Sequence, residues 1–107
     1  SAQLDSEVLE KHLKPAVDFA RRYRVPVWVG EFGIVRGTGP AGLQADAVAE
    51  RIRLFEKYGF HWTYWNFHET ASPHGMALQS QKRGGGEHPV NATLLRELCK
   101  GWRQNRD

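Results

Sequence analysis

Two runs in the sequence put chemistry-bearing side chains at the ends of apolar segments: Val27-Trp28-Val29-Gly30-Glu31-Phe32-Gly33 and Trp62-Thr63-Tyr64-Trp65-Asn66-Phe67-His68-Glu69. Burying a carboxylate at the last position of an apolar strand is costly unless the group is paired or used. With side chains alternating across a strand, Val27, Val29 and Glu31 share one face, and His61, Thr63, Trp65 and Phe67 share one face of the next strand. Trp28, Trp62 and Tyr64 fall on the opposite faces, where packing between strands and helices is expected. A carboxylate beside a large flat ring suits a sugar, because the ring covers the apolar face of a pyranose while the carboxylate attacks or stabilises the anomeric carbon. Plainer roles stand beside these: Glu31 as a helix cap or a partner of Arg36, Trp65 as a core ring, Glu69 as a solvated loop acid.

Other candidate motifs carry less. Gly37-Thr38-Gly39-Pro40-Ala41-Gly42 satisfies G-x-G-x-x-G, but Glu31 to Arg36 separate it from the strand and Pro40 removes an N–H that phosphate would need. His68, Glu69, His74 and His88 have no compact ligand spacing, so no metal is expected, and no cofactor. Cys99 is the single cysteine, which excludes an internal disulfide and leaves it as a small apolar residue on a helix face.

These side chains need elements to hold them. Val8, Leu9, His12, Leu13, Ala16, Val17, Ala20 and Tyr23 recur at helical spacing after Ser6, a suitable N-cap, with Pro15 marking a kink or the start of a second helix. Val25 to Phe32 reads as a buried strand and Gly33 to Gly42 as a glycine-rich loop. A helix follows from about Leu43 to Tyr58, ended by Gly59, with Ala47, Val48, Ile52 and Phe55 on one face. Phe60 to Phe67 reads as a second strand, His68 to Val90 as a long surface loop, and Asn91 as the cap of a last helix that turns Leu94, Leu95, Leu98, Cys99 and Trp102 inward.

The chain has 107 residues, enough for one domain spanning 1–107, and a formal charge of +3 with pI about 9.3. The basic excess is C-terminal, in Lys82, Arg83, Arg96, Lys100, Arg103 and Arg106, half of them at spacings that suit a solvated helix face rather than a phosphate-tracking stripe, so nucleic acid is not an expected partner. No run is apolar enough to span a membrane, and the N-terminal residues lack a signal-peptide pattern; a soluble chain of undetermined location is expected.

Strands separated by a helix are parallel, joined by a right-handed crossover. Two parallel strands leave both sheet edges open, and parallel sheets need both faces covered, so the fold class expected is α/β, of order α-β-α-β-α, with an unfinished sheet.

At this point the residues resemble a family. Pro26-Val27-Trp28-Val29-Gly30-Glu31-Phe32-Gly33, followed about 35 residues later by Trp62-Thr63-Tyr64-Trp65-Asn66-Phe67, is similar to strands seven and eight of the (β/α)8 barrel of glycoside hydrolase family 5, the cellulases and related endoglycosidases. The resemblance runs from the sixth helix to the eighth. It implies a retaining enzyme for β-linked glucosides or β-glucans, with Glu31 the nucleophile and Trp65 the tryptophan that stacks on the sugar; His68 is a second candidate for substrate binding. The family's acid/base glutamate, after an asparagine at the end of strand four, precedes the matched region. Within this sequence Glu69 is the carboxylate that could stand in. The alternative is a non-catalytic carbohydrate-binding or self-associating module. Eight strands close a barrel and the chain supplies two, so a homo-oligomer is expected, with four copies the attractive number and a dimer the commonest assembly. In such a ring, Glu31 or Glu69 of a second copy could serve as the acid.

Overall fold

In a computed structural model, residues 2–37, 42–70 and 75–104 are described, with side chains from residue 6 onward. The elements in chain order are α1 (Ala2–Tyr23), β1 (Trp28–Phe32), α2 (Leu43–Lys57), β2 (His61–Tyr64), β3 (His68–Glu69), β4 (Gln79–Ser80) and α3 (Ala92–Trp102). The α-β-α-β-α order is present, and β1 pairs with β2 in parallel. It is a mixed α/β arrangement of the kind found in a segment of an α/β barrel.

Helix ends follow their sequence signals closely. Asn91 caps α3, its side-chain oxygen accepting from the Leu94 amide at 3.1 Å. At the end of α2, Gly59 takes φ 67°, its amide donating to the Glu56 carbonyl and the Phe60 amide to the Phe55 carbonyl, the two bonds of a glycine-closed helix terminus. Ser6 is a different case. It lies inside α1, which runs unbroken through Pro15, and its hydroxyl donates to Glu50 instead of capping.

The core lies between α2, α3 and the helix-facing side of the strands. Val48, Ile52, Leu78, Leu94 and Leu98 are buried together, with Trp62, Tyr64 and Phe32 packed against them. Phe32 meets three rings edge-on: Phe55 at 5.0 Å, Trp62 at 5.6 Å and Tyr64 at 5.5 Å. A smaller cluster of Val17, Phe55 and Phe60 joins α1 to the rest. Part of the apolar stripe expected on α1 is uncovered: Val8 is 47% and Tyr23 55% exposed and His12 is exposed too, whereas Val17 is buried and Leu9, Leu13, Ala16 and Ala20 are partly buried. Polar contacts do much of the fastening there, Glu10 accepting from both Lys57 and Tyr58.

The described residues between His68 and Val90 hold more structure than the expected surface loop. β3 and β4 pair in parallel, Gln81 bridges Glu87, and Ala77, Leu78 and Ser80 are buried. The polar, glycine-rich composition of this stretch hid a segment held by backbone pairing together with the burial of Ala77, Leu78 and Ser80.

Candidate active site

Period-two alternation along β1 fails, and the failure positions the candidate nucleophile. Trp28 pairs with His61 and Val29 with Trp62, but the next pair is Phe32 with Tyr64, so β1 holds one residue more than β2 over this span. Val27, Val29 and Phe32 all pack toward α2. Without the extra residue, Glu31 would point with Val27 and Val29 into the helices. With it, Glu31 precedes the inward-facing Phe32 and is exposed on the open side of the sheet. No hydrogen bond or ion pair among the described residues engages its carboxylate; Arg36, its possible partner, turns to Glu69.

The same open face carries His61, Thr63 and Trp65, as the alternation in β2 predicts. It also carries Trp28, which the sequence assigned to the packed side. Trp28 is 68% exposed, and its indole N–H donates to the Thr63 hydroxyl at 3.1 Å. Trp62 and Tyr64 do pack inward; Trp62 donates to Glu56 at 2.8 Å and stacks on Trp102 at 6.0 Å.

Trp65 sits where the two strands leave each other. Its amide donates to the Phe32 carbonyl at 2.8 Å, its ring is half exposed, and its peptide bond to Asn66 is cis. Just past Glu31, the backbone at Gly33 lies so close to Trp65 that a Cβ there would meet the Trp65 carbonyl and the Met76 side chain. Glycine at 33 therefore lets the chain just past Glu31 run directly against the Trp65 backbone, where the two strands part.

The other two candidates are held by partners. His68 Nε2 lies 2.8 Å from the Glu87 carboxylate. Glu69, side chain 21% exposed, faces Arg36 at 3.8 Å and accepts from the Ala77 amide at 3.4 Å; a Cβ at Gly75 would land on its carboxylate. Tyr64, donating to the Met76 carbonyl, has its phenol pushed up to about 12 by burial. Sequence reading missed Arg36 as Glu69's partner and missed Gly75, Met76 and Ser80 altogether, because these contacts join loops that carry no periodic signal.

Thr38 to Ala41, the middle of the glycine motif, and His74 lie outside the described residues. Among the described residues no three His, Cys, Asp or Glu side chains gather as metal ligands, and no helix is long and apolar enough to cross a membrane.

The fold this arrangement defines is that of a segment of an α/β barrel. Among solved structures, Thermotoga maritima Cel5A, determined in complex with cellobiose, matches with a TM-score of 0.65 at 21% identity over 88% of this chain and 27% of its own. An endoglucanase matches with a TM-score of 0.65 at 20% identity, over 89% of this chain and 28% of its own. The chain thus spans about a quarter of the length of either. No protein-family model and no curated protein matches the sequence.

Proposed function

We propose that the chain forms the part of a β-glycoside-cleaving barrel that bears the nucleophile, Glu31, and the sugar platform, Trp65. The observation that carries this reading is the extra residue in β1, which frees Glu31 from the helix side and leaves it exposed on the open face with no partner among the described residues, at the strand end next to which the half-exposed Trp65 follows β2. The likeness to Cel5A and to an endoglucanase supports a β-linked glucan as the substrate class, and the resemblance to glycoside hydrolase family 5 assigns a double displacement with retention. In that reaction a glutamate attacks the anomeric carbon and a second carboxyl group, about 5 to 5.5 Å away, protonates the leaving oxygen. In this reading, further barrel strands set against the open face supply that acid.

The exposed rings of Trp28, Trp65 and Phe67 (the last 70% exposed), together with the open sheet edges, support covering of this face by added strands, and a second copy of the chain is the proposed source. Hydrolysis of an aryl β-cellobioside by wild type and by Glu31→Gln tests the catalytic reading. Loss of turnover with an unchanged circular dichroism spectrum is expected, and equal turnover refutes it. Sedimentation across a dilution series tests the assembly. A folded monomer that retains full activity per chain refutes it.

A further inference from the structure

We propose that Arg36 and Glu69 are a positioning pair that fixes the spacing between Glu31 and Trp65; this rests on the proposed glycosidase reading. Arg36 is four residues past the end of β1, and Glu69 four residues past Trp65. Between them lies the segment 75–81, and each fastens it from one side. From the β1 side, the Arg36 amide donates to the Gly75 carbonyl at 3.0 Å, and its guanidinium donates to the Ala77 carbonyl at 3.3 Å and the Ser80 hydroxyl at 3.4 Å. From the β2 side, the Leu78, Gln79 and Gln81 amides donate to the carbonyls of Asn66, Phe67 and Glu69.

The Glu69 carboxylate closes the structure. It faces Arg36, accepts from Ala77 and fills the space over Gly75 that any side chain would need. Met76, in the same segment, backs Gly33 directly past Glu31. A change at either charged group therefore reaches the chain beside both Glu31 and Trp65 through a short run of backbone. Ala77 and Ser80 are almost fully buried, so the segment is seated, not merely resting on the surface. A nucleophile held against a sugar platform loses rate steeply for small misplacements, which is the effect such a tie prevents.

The geometry also separates this role from that of an acid. A proton donor must approach the leaving oxygen, whereas the Glu69 carboxylate is turned toward Arg36 and the Gly75 backbone. The test uses the whole chain as wild type, Glu69→Gln, Arg36→Met, Arg36→Lys and Gly75→Ala, the last evicting the carboxylate without altering it. Amide hydrogen exchange is followed at Ala77, Leu78 and Gln79, with Leu94 and Leu98 reporting the global fold. Hydrolysis is measured on two aryl β-cellobiosides, one with a good and one with a poor leaving group.

For Glu69→Gln, Arg36→Met and Gly75→Ala, exchange in the segment should rise about tenfold or more while the α3 amides stay protected. kcat should fall by about 10- to 100-fold, equally for both leaving groups, with KM within about threefold and the pH profile unmoved. Arg36→Lys should recover part of the loss. Glu69→Gln that spares the exchange but loses turnover only on the poor leaving group makes Glu69 the acid and overturns the proposal, as do unchanged exchange and turnover. If Gly75→Ala also loosens α3, the isosteric Glu69→Gln decides. If wild type hydrolyses neither substrate, the glycosidase reading fails by itself, and exchange alone judges the tie: unchanged protection overturns it and raised exchange upholds it.

Discussion

The two faces of the β1–β2 ladder are built to different rules. On the helix side, Val29, Phe32, Trp62 and Tyr64 interlock with α2 and α3, ring edges against ring faces. On the open side, Trp28, Thr63, Trp65 and the carboxylate of Glu31 stand in solvent, with a single hydrogen bond, Trp28 to Thr63, between side chains of the two strands there. Apolar burial, the main favourable term in folding, is therefore concentrated on one face, while the chemistry-bearing groups are on the other. The contrast teaches that ring size in the sequence says little about stability here. Phe32 should matter more than the larger Trp28.

That contrast can be broken most directly by truncating one residue from each side. Phe32→Ala should cost about 3 to 5 kcal/mol in urea unfolding, since it empties a site bounded by three rings, whereas Trp28→Ala should cost less than about 1 kcal/mol. If Trp28→Ala proves equally costly, the open face is covered in solution, which would favour the proposed assembly.

Gly101 sharpens the comparison from within the packed side. A Cβ there would lie 2.7 Å from both the Ile52 Cγ2 and the Trp62 ring, where α3 presses on α2 and β2. Gly→Ala in a helix ordinarily gains about 1 kcal/mol, and overpacking a tight site costs about 1 to 3 kcal/mol. Overpacking should win, so Gly101→Ala is expected to lower stability by up to about 2 kcal/mol, against a gain at an exposed glycine. Asn91→Ala comes next, at about 1 kcal/mol, for the lost cap on Leu94, measured in the same unfolding experiment.

Legibility in the sequence divides along the same line. The strand cores, α2 and the capped α3 follow from periodicity and terminal residues, because burial against helices imposes the period. Glu31 and Trp65 were legible as candidates from residue type and strand-end position, but the face of Glu31 was not. Pure alternation puts it with Val27 and Val29, and only the extra residue in β1, set by pairing with a strand about 35 residues away, moves it out. Trp28 lies before that extra residue and faces the open side because Val27 and Val29, on either side of it, pack inward. The tie through Arg36, Glu69 and Gly75 was invisible for a related reason: it is made by backbone carbonyls and amides of a segment whose side chains show no pattern.

The smallest expected effect concerns α1, which is attached to α2 in a way the core helices are not. Val17 is its one buried apolar side chain among the described residues, meeting Phe55 and Phe60, while Glu10 with Lys57 and Tyr58, and Ser6 with Glu50, hold the rest. The Lys57 ammonium and then the Tyr58 hydroxyl hold the Glu10 carboxyl below its ordinary 4.5, and Arg53, more than Ser6, does the same for Glu50. Both groups are thus harder to protonate folded than unfolded. Their contribution is fully present above pH of about 4.5 and is lost as pH falls through the lowered values. Solvent-exposed pairs contribute little, so the whole chain should not unfold. What should change is local: amides of α1 should exchange faster at pH 3 than at pH 5, after correction for intrinsic rates, while those of α2 and α3 remain protected. High salt at pH 7 should produce a weaker version of the same loosening, because it screens the Glu10–Lys57 pair without removing charge. Uniform protection of α1 at both pH values would mean that Val17 and its neighbours hold the helix unaided, and the polar fastening would then be incidental.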